Sequence, residues 1–338
     1  GDALDLASES AAYTTLTLHC TSFMPLAALL GEPWRLCLGL ARPTPPALVA
    51  DSGMASTYQS IIGESLQLVL DSKISNAVTG SSNRLLSPGL LLHLSIGAST
   101  VATKKVIANL FYRDVRILRP VFLGETLQTT TEVIAMQDSK PKENRPHRGK
   151  VLLKITTKAN SEPVLIYYRC PLVKLRGDIL PGHQDNLGDG PDLTLTSYED
   201  RSYQNWELNH LEGSNEIQLG QIVKDPMKDV VDQALGLVRL TQNMAAVHRD
   251  STASPYSKRL VYGGHTVALA QASLSRIFPN TATILGWHMC DHIAPVFEGD
   301  LLSMEHKTLE EKNYGNGKTK AIHSQVYVHS GNENPKHG

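Results

Sequence analysis

Two short stretches hold the groups best suited to proton transfer and charge stabilisation: Thr241 to Asp250, which contains His248, and the turn Tyr262-Gly263-Gly264-His265 just downstream. An imidazole with an unperturbed pKa of ~6.5 can both accept and return a proton near neutrality. The two glycines let the chain turn sharply and leave backbone N–H groups exposed at a helix start, where an oxygen that gains charge can be held. One such donor contributes ~3–4 kcal/mol at a transition state. Each feature also has a plainer reading. His248 could cap the carbonyls of a helix end, and His265 could be a helix-start or core histidine. Gly264 could be a tight-turn glycine, which is compatible with the donor role.

The elements that must position these groups repeat along the chain. Pro120 to Leu127 matches Pro295 to Leu302, and Arg84 to Gly89 matches Arg259 to Gly264, both pairs 175 residues apart. Two blocks at one offset point to tandem copies, 34–175 and 201–338, joined by a Gly-, Pro- and Asp-rich linker at 176–200. Residues 1–33 have no counterpart and read as an appendage, an added strand and helix among the options. In the second copy Val230, Val231, Leu235, Val238 and Leu240 predict one long buried helix over Met227–Val247, with its counterpart over Ser56–Ile74. Shorter helices are expected at Leu90–Thr100 and Val267–Ile277. Strands are expected at Val115–Leu118, Glu125–Met136, Val151–Ala159 and Val164–Val173, and again at Thr283–Met289, Asp300–Leu309 and Thr319–Val328. A helix followed by an antiparallel meander is an α+β unit in which the sheet wraps the helix, and a doubly wound parallel sheet is disfavoured. Glu125 and Asp300 occupy the same place in both copies and read as turn carboxylates.

Composition narrows the partners. With 41% hydrophobic and 19% charged residues, the 338-residue chain has material for a core and is not a disordered polyelectrolyte. Lys plus Arg number 32 against 33 Asp plus Glu, so the net charge of −1 gives no basic excess for nucleic acid or an anionic membrane. Aromatic residues at 6% offer no stacking platform for single strands. Cys20, Cys37, Cys170 and Cys290 lie far apart without metal-ligand spacing, which argues against a zinc site and a disulfide framework and fits a reducing, cytoplasmic setting. The apolar stretch Phe23–Leu30 is too short to span a bilayer and lacks the flanks of a signal peptide.

The order of these segments resembles the MaoC-like (R)-specific enoyl-CoA hydratases and dehydratases, in which a D-x-N-P-x-H segment precedes a His-Gly turn. The Pro-Val-Phe openings at 120 and 295 are similar to the family's P-V-x-x-G-D-x-L strand opening. The two-copy layout and the Val261 to His265 segment look most like its mesaconyl-CoA hydratase (β-methylmalyl-CoA dehydratase) branch. The resemblance implies a double hot dog fold and a hydro-lyase acting on a CoA- or carrier-bound acyl thioester, branched or dicarboxylic substrates included, with no metal or redox cofactor. The family's five-residue interval selects Asn243 and His248. Position 243 carries Asn where the better-known hydratases carry Asp, and Asn cannot take a proton. His248 would then be the titrating group, with Asn243 orienting water or the thioester and Gly264 N–H holding the enolate oxygen. Tyr262, Gly263 and His265 would surround the substrate. Asp232, Asp250 and Asp291 are the nearby carboxylates if one is needed. The first copy places Leu68 and Lys73 at the matching positions and Pro88, without an N–H, in its turn, so it should be silent and shape the acyl or CoA pocket. A homodimer of double hot dogs stays open. The competing readings are a hot dog thioesterase, which would need a carboxylate or oriented water at the carbonyl, and a cyclase, isomerase or binding member of the fold in secondary metabolism.

Overall fold

The computed structural model describes residues 46–175, 180–188, 194–199, 201–213 and 217–329, together with the strand backbone of 12–16. After β1 (Ala12–Leu16) and β2 (Leu48–Val49) come α1 (Ser52–Ile62), α2 (Gln67–Leu70), α3 (Ser72–Thr79) and α4 (Pro88–Ser99). The strands β3 (Val106–Ile117), β4 (Thr126–Asp138), β5 (Arg148–Ala159) and β6 (Glu162–Lys174) follow. Further along lie β7 (Ile222–Lys224), β8 (Asp229–Val230), α5 (Ala234–Leu240) and α6 (Gly263–Ile277), then β9 (Gly286–His292), β10 (Leu301–Tyr314) and β11 (Gly317–His329).

All described strands form one sheet in the order β2-β4-β5-β6-β3-β9-β1-β11-β10-β7, with β8 also on β10. The seam between the two halves is the antiparallel β3–β9 pair, which sets Tyr112 opposite Cys290 and Val115 opposite Trp287. Of the first 33 residues only β1 is described; it enters the sheet between β9 and β11. Side-chain alternation along the strands follows from the period of two: Leu302, Met304, His306 and Thr308 of β10 all point inward. The Pro-Val-Phe openings make the same turn twice, Phe122 N–H donating to Glu125 Oε1 and Phe297 N–H to Asp300 Oδ2, both at 2.8 Å. Glu125 and Asp300 thus hold backbone, as their repetition suggested.

The central helices are α4 and α6, and this corrects the sequence reading. No long helix spans Met227–Val247. That stretch forms β8, the seven-residue α5 and an irregular loop, and the counterpart 56–74 is divided among α1, α2 and α3. Gly63 ends α1 in the left-handed region at φ 70°, and Gln242, at φ 54°, stops α5 from continuing. The helices expected at 90–100 and 267–277 begin earlier and are the ones the sheet wraps. Ser87 caps α4 by accepting from Leu90 N–H at 3.3 Å, and Pro88 occupies its first turn. Leu90, Leu91, Leu92, Leu94 and Ile96 are buried on every side of α4, as are Val267, Ala268, Leu269, Ala270 and Ala272 on α6. Among the described residues no helix is long and apolar enough to cross a membrane. Cys170 and Cys290 are buried free thiols; Cys20 and Cys37 lie outside the described residues.

Candidate active site

The loop after α5 carries His248 and docks on the C-terminal end of α4. Met244 N–H donates to Thr100 Oγ1 at 2.7 Å and Ala246 N–H to the Lys104 carbonyl at 3.0 Å. The approach is so close that a Cβ at Gly97 would overlap the Thr241 carbonyl, so only glycine fits there. Asn243 is buried within this loop. Its Oδ1 accepts from Ala245 N–H at 2.9 Å and its carbonyl accepts from Arg249 Nε at 2.6 Å. The carboxamide oxygen expected to orient water or thioester is therefore engaged in shaping the loop, and no hydrogen bond joins Asn243 to His248.

His248 lies in a 3-10 turn, Ala246–His248, with Nδ1 3.0 Å from the Leu260 carbonyl oxygen. A carbonyl only accepts, so Nδ1 carries the proton of the neutral ring and Nε2 is left as an acceptor. Burial pushes the imidazole down to about 4, the Leu260 carbonyl opposing this and the Arg169 charge reinforcing it. At neutral pH His248 is an unprotonated base. Its ring centre lies 5.7 Å from that of Tyr262, the residue that opens α6.

Around the glycine turn stand residues from both halves. Tyr262 Oη lies 3.3 Å from His93 Nδ1 of α4, and burial raises the phenol well above its ordinary value, so it stays protonated. His292 packs so tightly on Gly263 that a Cβ there would overlap its ring, and its own ring meets Tyr112 edge-on at 5.4 Å. Burial lowers His93 to about 3 and His292 to about 4, in the latter case with help from His248 and Arg113. His265 lies wholly inside α6, pushed to about 4 by burial, with neither ring nitrogen hydrogen-bonded. It is a core histidine rather than a residue lining the turn. The nearby carboxylates are committed elsewhere: Asp291 pairs with Arg113 at 2.6 Å, and Asp250 caps the Ser251–Ala253 turn while exposed to solvent. Asp232 is exposed and raises His265 only weakly against its burial.

Beside Gly264 is a space of about 10 Å³, the room of one water, lined by Leu92, His93, Tyr112, Trp287 and Cys290 among others. A much larger cavity of about 1100 Å³ opens at the other end of α6, between Leu274, Phe278, Trp206 and Tyr314. Trp287 borders both spaces. His93, Tyr112 and His292 were not among the residues singled out from sequence. The one local signal was His93 itself, the only titratable residue within Leu90–Ile96.

A conserved Mycobacterium tuberculosis protein with a double hotdog fold is 34% identical, with a TM-score of 0.75 over 84% of this chain and 93% of that one. The chain belongs to the MaoC-like double hot dog family. No protein-family profile matches the sequence. Two further relatives are enzymes by name. The mesaconyl-CoA hydratase of Cereibacter sphaeroides is 28% identical over 235 residues, 66% of this chain and 67% of its own length. The β-methylmalyl-CoA dehydratase of Chloroflexus aurantiacus is 26% identical over 287 residues, 80% of this chain and 79% of its own. A MaoC domain dehydratase structure from Chloroflexus aurantiacus, at 22% identity and TM-score 0.69, shares the fold.

Proposed function

We propose that this MaoC-like protein is a hydro-lyase that adds water to, or removes it from, the α,β bond of a small acyl-CoA thioester. The observation that carries this reading is the fixed tautomer of His248. With Nδ1 held by the Leu260 carbonyl, Nε2 is the free basic atom, close to the start of α6 and its glycine turn. In the hydration direction Nε2 takes a proton from water as the water oxygen bonds to the β carbon. The electron pair of the double bond moves through the α carbon to the thioester oxygen, which the Gly264 N–H at the helix N-terminus stabilises. The imidazolium then returns a proton to the α carbon, and dehydration retraces these steps. Tyr262 and Gly263 frame the site, and Asn243 acts through the loop that presents His248.

Mesaconyl-CoA, which one relative's name specifies, is the thioester to test first. A thioesterase would need a carboxylate or an oriented water at the carbonyl; no Asp or Glu lines this space, so that reading would rest on an oriented water.

The test is incubation with mesaconyl-CoA and crotonyl-CoA, following product mass and free thiol. A gain of water that disappears in His248→Ala, with unchanged circular dichroism, is expected. Free CoA without a hydrated product would replace this reading with the thioesterase.

A further inference from the structure

The docking that positions His248 recurs with the two halves exchanged. Met244 N–H of the His248 loop donates to Thr100 Oγ1 at the end of α4, and Ser65 N–H of the first half donates at 2.9 Å to Ser275 Oγ of α6, 175 residues after Thr100. Gln67 Nε2 extends this second contact to the Pro279 carbonyl at 2.8 Å. The cavity of about 1100 Å³ opens at the same end of α6, against Leu274, Phe278 and Trp287. It is the counterpart, on the other half, of the place where the His248 loop is held. No base of the His248 kind faces it. Glu64, the one titratable residue of 64–70, turns to Gln271 and is not among the described residues that line the cavity. His288, which does line it, lies 3.3 Å from Tyr198 Oη.

Volume, wall and charge together define what fits. Small-molecule sites run to ~300–1,000 Å³, so this space is large for one. Trp206, Leu211 and Leu285 of a single apolar cluster supply much of the wall. Covering such a surface with an apolar ligand gains ~25 cal/mol for each Å² taken from water. The charged groups among the described lining residues are Glu311 of β10 and Lys318 and Lys320 of β11. Both lysines pair with Glu311, so two ammonium groups share one carboxylate and the lining carries one net positive charge. Lys318 and Glu311 are exposed and Lys320 is half-buried, which puts that charge where the cavity meets solvent. The C-terminal end of α6 carries partial negative charge and disfavours an anion at its own side of the cavity.

We infer that this cavity binds a long-chain acyl group with an anionic head, the chain running inward toward Leu274 and Phe278 and the head held by Lys318 and Lys320. It is a second ligand site, separate from His248 and the glycine turn. The inference goes beyond the hydratase reading and does not depend on it, because it requires binding and no reaction. A free fatty acid and a fatty acyl-CoA share this chemistry.

The test is calorimetric titration of the full chain with oleate, oleoyl-CoA and oleyl alcohol, which has the chain without the charge. One molecule of oleate or oleoyl-CoA per chain is expected, with the alcohol about 10-fold weaker. Which anion binds more tightly identifies the source as free acid or thioester. The double variant Lys318→Ala, Lys320→Ala should weaken the anions about 10-fold and leave the alcohol unchanged. Both side chains reach solvent, so this variant keeps the fold even if Leu274→Trp, which should fill the cavity and abolish binding of all three, does not. His248→Ala should bind as the unaltered chain does. Photolysis of a diazirine-bearing fatty acid followed by peptide mapping should label 270–289 and 311–324. Labelling confined to 243–265, anion binding indifferent to the lysine substitutions, or no binding of either anion would overturn the inference. Failure to hydrate mesaconyl-CoA with oleate or oleoyl-CoA binding intact would count against the hydratase reading alone.

Discussion

Glu64 offers a sharp quantitative test of the packing between the halves. It is 1% exposed, contacts Gln271 Nε2 of α6 and lies beside the Ser87 hydroxyl, while its Oε2 meets no donor. Burial raises its carboxyl from 4.5 to about 7, with Ser87 and Gln271 resisting the rise. A raised value in the folded state means that the neutral carboxyl is the form the fold favours. Its contribution to stability is full below pH 4.5 and is lost as pH rises through about 7. At ~1.4 kcal/mol for each pH unit, the rise corresponds to about 3 kcal/mol. Glu64→Gln removes the titration, keeps an oxygen for Gln271 and offers an N–H to the neighbouring hydroxyls. Urea unfolding of both proteins from pH 4.5 to 8.5 should show near-equal stability at the acid end and a variant more stable by about 2–3 kcal/mol above pH 8. Groups common to both proteins cancel in this difference. A pH-independent difference, or a less stable variant at pH 8, would falsify the assignment of a neutral buried carboxyl.

Other consequences concern the site and its surroundings. Gly264→Ala would drive a methyl into the Tyr262 ring, so kcat should fall by about 100-fold as the oxyanion donor is displaced, with about 1–3 kcal/mol of lost stability in thermal melts; unchanged kcat would remove Gly264 from the mechanism. Trp287→Ala should join the small space to the 1100 Å³ cavity, and the kcat/KM of octenoyl-CoA should rise relative to crotonyl-CoA; an unaltered ratio would show that Trp287 is no divider. His93, His265 and His306 are wholly buried and lowered by burial to about 3, about 4 and about 4. The unfolded chain binds protons first, so stability should be intact above pH 6.5 and fall by ~1.4 kcal/mol per pH unit for each histidine toward pH 4; chemical unfolding that shows no slope between pH 6.5 and 4.5 would contradict their buried neutral state.

The strands were the most legible part of the sequence because the feature that marks them is local. Alternation along 126–138, 148–159, 301–314 and 317–329 reflects one face on the core and one away from it. His248 and the glycine turn could be proposed from the sequence for the same reason, since an imidazole and a pair of glycines at a helix start are read from a few adjacent residues. The helices misled for a physical reason. A stripe at helical spacing marks a helix that covers a surface, and the 227–247 pattern belongs to a covering segment broken by Gln242. The helices the sheet wraps are buried all round, and a fully buried helix has no stripe to see.

The sequence by itself determined the α+β class, the antiparallel strands, the turns held by Glu125 and Asp300, and the family to which the His248 segment belongs. Tertiary structure decided which helices are central, that Asn243 braces a loop, and that His93 and Tyr112 from the first half stand beside the glycine turn of the second. The β3–β9 pairing and the docking of the 241–248 loop on α4 create those neighbours. Local sequence patterns constrain contacts within an element, whereas a site between halves depends on packing between surfaces distant along the chain.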